Sequence, residues 1–76
     1  MGSKKNLLIT FNNMTEAVRM EALLSKNGIR GELMPTPRHL SRGCAYSLRM
    51  SNRQNQMARS LIQQHKGKAS SWLEVD

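Results

Sequence analysis

Seventy-six residues allow one domain with a modest core, because a chain this size buries only about 60% of its unfolded surface; a deep substrate cavity is excluded. A formal net charge of +7 points to a polyanionic or acidic partner, while one Phe, one Tyr and one Trp make a thin platform for base stacking. The single cysteine rules out an internal disulfide, no Cys/His cluster suggests zinc, and no apolar run approaches the roughly 20 residues of a membrane span.

Residues 1–5 read as a mobile polar lead-in and residues 6–76 as one domain. Residues 6–11, NLLITF, are short, β-branched and aromatic, and predict a first strand buried on both faces for part of its length. Asn13 followed by Glu16 is a capping-box variant that opens a helix over 14–27, closed by Gly28 in a left-handed conformation. Ala17, Met20, Leu23 and Leu24 lie on its buried side, Arg19 and Lys26 away from it. Residues 29–34 alternate loosely and predict a half-buried strand near an edge.

Residues 34–44, MPTPRHLSRGC, concentrate the chemistry. Pro35 and Pro37 fix φ at two alternate positions and remove two backbone donors, so the stretch runs extended and resists helix or central strand. Arg38, His39, Leu40, Ser41 and Arg42 form a polar run, Gly43 supplies a turn with φ > 0, and Cys44 opens the next apolar segment. A stiff loop thus delivers one thiol among cations, which favour the thiolate. A lone cysteine at a strand start is more often a small buried hydrophobe than a reactive group; Arg38 and Arg42 read alternatively as solvated loop charges, His39 as a surface residue and Ser41 as a turn former.

Residues 44–50 alternate, with Cys44, Tyr46, Leu48 and Met50 on one face and Ala45, Ser47 and Arg49 on the other. Ser51 followed by Gln54 repeats the capping box and starts a second helix. Its apolar stripe is Met57, Ala58, Leu61, Ile62 and His65, with Arg53, Arg59, Gln63 and Lys66 towards water; Gly67 is its stop. Residues 70–75 close the chain as a strand. Strand, helix, strand, strand, helix, strand predicts an α+β fold: a ferredoxin-like βαββαβ two-layer sandwich, with an antiparallel sheet and both helices on one face. In that topology Cys44 faces the helix layer beside the first helix N-terminus, near the free N–H groups of Asn13 to Glu16. His65, Lys66 and Lys68 come to the same pole, and Glu16 opposes them.

Pro35-Thr36-Pro37-Arg38, then Ser41, then Gly43-Cys44 before an alternating strand resembles the selenium/sulfur carrier-like family of small domains. Leu8-Ile9-Thr10-Phe11, the helix around Ala17, Glu21 and Leu24, and Gly28-Ile29 are similar to it too. The resemblance implies a carrier that holds sulfur or selenium on Cys44 as a persulfide or selenosulfide, with donor and acceptor proteins as partners. It also implies one departure, Ala45 where the family's cysteine is typically followed by glycine. In such a role Arg38, Arg42 and His39 support the thiol electrostatically and Ser41 donates to the sulfur. No cofactor, metal or membrane is expected, and a reducing cytoplasm fits the lone thiol.

A stand-alone catalyst is disfavoured: His39 and His65 are conceivable bases for Cys44, but no orienting residue or oxyanion site accompanies them. The alternative is a small basic binding module with a structural cysteine, weakly attracting RNA or an acidic protein. The third strand, CAYSLRM, lacks the aromatic pattern of RNA-recognition modules that use an open sheet face.

Overall fold

The apolar run after the lead-in forms β1 (Asn6–Phe11), an inner strand whose Leu7, Ile9 and Phe11 are fully buried against the helices. The computed structural model of the chain describes residues 4–76; residues 1–3 of the expected mobile lead-in lie outside them. Lys4 and Lys5 are engaged: their carbonyls accept from Asn52 Nδ2 at 3.0 Å and Asn52 N–H at 2.9 Å. The remaining elements are α1 (Met14–Lys26), β2 (Glu32–Pro35), a 3₁₀ turn at Arg38–Leu40, β3 (Tyr46–Ser51), a 3₁₀ turn at Asn52–Gln54, α2 (Asn55–Gln64) and β4 (Ser71–Val75).

All strand pairs are antiparallel in the order β2-β3-β1-β4, the ferredoxin-like arrangement expected from the chain. Register sorts the side chains. Ile9 pairs with Leu48 and Trp72 on the helix side, and Thr10 with Ser47 and Ser71 on the other. One core cluster joins Leu7, Ile9, Phe11, Leu48 and Met50 to residues of both helices, so the helices share a face.

Asn13 caps α1, its Oδ1 accepting from Glu16 N–H at 2.8 Å. The reciprocal half of a capping box is absent. Glu16 instead accepts from Arg19 at 3.2 Å and from the Lys68 N–H at 2.7 Å, tying α1 to the connection before β4. The Arg19 hydrogen bond, then that from Lys68, lowers the Glu16 pKa below its ordinary 4.5. A depressed carboxyl stabilises the fold above its unfolded-state pKa and loses that contribution as pH falls through the folded-state value. Unfolding free energy should therefore decline on acidification below about 4.5, and Glu16→Gln should flatten that part of the profile in urea titrations at stepped pH.

Gly28 at φ 84 ends α1 as expected, with Gly28 N–H on Ser25 O at 3.1 Å and Ile29 N–H on Leu24 O at 2.8 Å. The second helix departs from expectation at both ends. Ser51 Oγ caps Arg53 N–H at 3.3 Å to form the 3₁₀ turn, and the α-helix begins only at Asn55. At its close Lys66 takes the left-handed conformation (φ 55), and Gly67 follows because an added Cβ would meet Met20 and Ile62. Ala58 and Ile62 are buried, whereas Met57 and His65 of the expected stripe are exposed: the ten-residue helix touches the sheet along a narrower line than the stripe assumed.

The second strand starts at Glu32 rather than residue 29 and includes Pro35, paired with Tyr46. Proline is tolerated there because β2 lies at the sheet edge. The third strand starts at Tyr46, two residues later than expected, leaving Cys44 and Ala45 in the connection.

Candidate functional site

The connection from β2 to β3 folds in three steps. Pro37 is extended, and its carbonyl accepts from Leu40 N–H at 2.9 Å to start the 3₁₀ turn. Ser41 then closes that turn: its N–H and Oγ both donate to Arg38 O, at 3.3 and 3.1 Å. Arg42 (φ 40) and Gly43 (φ 89) reverse the chain through two successive left-handed residues. The turn delivers Cys44, whose N–H donates to Ser41 O at 2.6 Å. The carbonyls of Pro37, Arg38 and Ser41 each find a donor three residues on, which tightens the expected loop into successive turns.

This loop lies over the sheet face opposite the helices. Leu8 and Thr10 point away from the core yet are 2% and 0% exposed. His39, Leu40 and Arg42 enclose a small cavity with Ser71 and Leu73 of β4, the residues paired with Thr10 and Leu8. Beneath the loop, hydroxyl pairs satisfy the sheet: Thr36 with Ser47 and Thr10 with Ser71, each at 2.6 Å. The face that an RNA-recognition module leaves open is thus covered over the Thr10 end of the sheet.

Cys44 is 6% exposed, so the loop delivers it beneath the surface. It lies outside the helix-facing core cluster. Its Sγ donates to Asn12 Oδ1 at 3.6 Å, and the same oxygen accepts from Ser70 Oγ at 2.8 Å. The thiol therefore engages the residue before the α1 cap rather than the N–H groups of Asn13 to Glu16; the Glu16 donor is already taken by Asn13. Asn12, the partner in that hydrogen bond, is itself exposed.

Among the described residues, Asn12 is the one hydrogen-bond partner of the sulfur. Ser41, expected to donate to it, donates to Arg38 O and holds the Cys44 backbone instead. Arg38, His39 and Arg42 are exposed, with His39 and Arg42 facing the β4 side of the loop. Gly43 and Pro37 shape the turn, and Pro35 anchors it to β2. Ala45 is exposed, its carbonyl accepting from Thr36 N–H at 3.1 Å to extend the β2–β3 ladder. Sequence reasoning missed Asn12 and Ser70. The trace of Asn12 was the Asn12-Asn13 doublet, of which only the second residue is needed as a cap.

A single thiol set on a fixed turn, apart from the helix-facing cluster and bonded to an exposed amide, suits exchange chemistry at sulfur. The family model described as "Putative Se/S carrier protein-like" matches residues 6–74. The chain belongs to this family. No curated protein and no solved structure matches it. The family match covers both helices and all the strands except the last residue of β4, and its carrier description suggests interaction with partner proteins. Among the described residues no helix is long and apolar enough to cross a membrane.

Proposed function

We infer that Cys44 is a carrier thiol that accepts a sulfur or selenium atom from a donor protein, holds it, and passes it to an acceptor. The observation that carries this reading is the placement of the chain's one thiol. It is buried yet apart from the helix-facing cluster, on a turn fixed by its own backbone, with its sulfur bonded to an exposed side chain.

In loading, Cys44 sulfur attacks the terminal sulfur of a donor persulfide, R–S–SH. The new S–S bond forms as the donor's breaks, the thiol proton leaves with R–SH, and the domain carries Cys44–S–SH. Off-loading repeats the exchange with the acceptor's thiolate, and a selenosulfide follows the same balance. Neither step is a net oxidation, so the domain serves as an accessory protein and needs no cofactor. A reducing compartment such as the cytoplasm keeps the lone thiol available. The low exposure of the sulfur protects the cargo from stray thiols, and the positive charge speeds encounter with acidic partner surfaces.

Alkylation of the native protein tests the reading. Iodoacetamide should label Cys44 without denaturant, and Asn12→Ala should raise the rate about threefold, the effect of losing one weak hydrogen bond. Labelling that waits for denaturant in both proteins would mean a structural thiol.

A further inference from the structure

The sheet has two edges, and the chain treats them differently. β2 is four residues long, ends at Pro35, and runs into Pro37, so its outer edge is blunted. β4, Ser-Trp-Leu-Glu-Val, is the opposite edge and contains neither proline nor lysine. Its outward N–H and C=O groups have no strand partner in this sheet.

Each face of that edge is bordered by a cavity. On the loop side Ser71 and Leu73 line one with His39, Leu40 and Arg42. On the helix side Trp72 lines another with Arg59, Gln63 and Lys68. Arg59 lies 4.6 Å from the Trp72 ring centre, a cation–π contact that holds the indole beside the edge. Gly67 and Ala69 also line the helix-side cavity.

An extended peptide added to a sheet edge turns alternate side chains to opposite faces, so it would fill both cavities in turn. Arg42, Arg59 and Lys68 put positive charge on both sides. The one carboxylate on the strand, Glu74, stands near its far end. A second copy pairing edge to edge about a twofold axis would bring the same cations together, which disfavours self-association.

We propose that the free edge of β4 is a docking site for an extended acidic segment of a partner protein, bound by strand addition. The site is independent of whether Cys44 carries cargo. It does reach the thiol's pole, because Ser70, just before β4, donates to the Asn12 oxygen that accepts from Cys44.

The test uses the full chain and a synthetic peptide of threonine, valine and glutamate, with glutamate at both odd and even positions. Titration should change the fluorescence of Trp72, the only tryptophan, in a saturable way, and should slow hydrogen exchange at residues 71–75. N-methylation of alternate peptide amides should abolish binding, and Arg42→Glu with Arg59→Glu should weaken it at least about tenfold. Both arginines are exposed, and circular dichroism checks that the double variant stays folded. No saturable change, binding indifferent to N-methylation, or protection at β2 instead would overturn the proposal. So would β4 protection that rises with protein concentration alone, which means a second copy, or displacement of the peptide by single-stranded RNA that itself leaves β4 exchanging freely.

Discussion

Gly67→Ala is expected to destabilise the domain by about 1–3 kcal/mol, the usual cost of forcing extra volume into a packed site. The cause is steric. A Cβ at this position would stand 2.7 Å from Ile62 Cγ2 and closer still to Met20 Sδ, both on fully or almost fully buried side chains. Met20 projects from α1 and Ile62 from α2, so the added methyl group would push the helices apart rather than displace a free side-chain end. Gly28 and Gly43 supply the contrast. Nothing lies within 4 Å of a Cβ added to either, and both are held at positive φ, so only backbone strain opposes a substitution. Asparagine, which tolerates the left-handed region, should therefore be accepted at 28 and 43 but not at 67. Urea unfolding followed by Trp72 fluorescence would separate the cases. A Gly67→Ala midpoint equal to the parent's would show that the helix pair yields more readily than its packing implies.

Local signals were enough for much of this fold. The apolar run of β1, the Asn13 cap and the Gly28 stop each act through groups within a few residues, and each stands where the pattern placed it. Errors arose where a distant contact chose between local options. Gly67 looked like the stop of the second helix, but Lys66 takes the left-handed conformation there and Gly67 answers to Met20, far away in the chain. Pro35 looked like loop, yet pairing with Tyr46 at an unshared edge draws it into β2. The site follows the same division. The turn leading to Cys44 was visible in Pro37, Gly43 and the polar residues between them. The sulfur's partner was not, because Asn12 lies 32 residues from Cys44 and is also held by Ser70, 58 residues from it.

Loading of sulfur on Cys44 is the largest functional effect expected, because the chain contains one cysteine and no second thiol can take its place. Exchange at sulfur requires a nucleophile, a path to it, and a product protected from unwanted thiols. In the proposed role the turn at Arg42 and Gly43 would fix the nucleophile, a shift of exposed Asn12 would open the way to it, and the burial of Cys44 would protect the product. Cys44→Ser keeps a donor to Asn12 and loses little volume, so a fall in loading in that variant reflects the missing sulfur and not a lost fold. The deciding measurement is the intact mass of the protein after incubation with a cysteine desulfurase and cysteine, repeated after addition of a reductant. The parent should gain the mass of one sulfur atom and lose it on reduction, while Cys44→Ser should gain nothing. An unchanged parent mass under conditions that load another thiol protein, or an equal gain in Cys44→Ser, would contradict the carrier assignment.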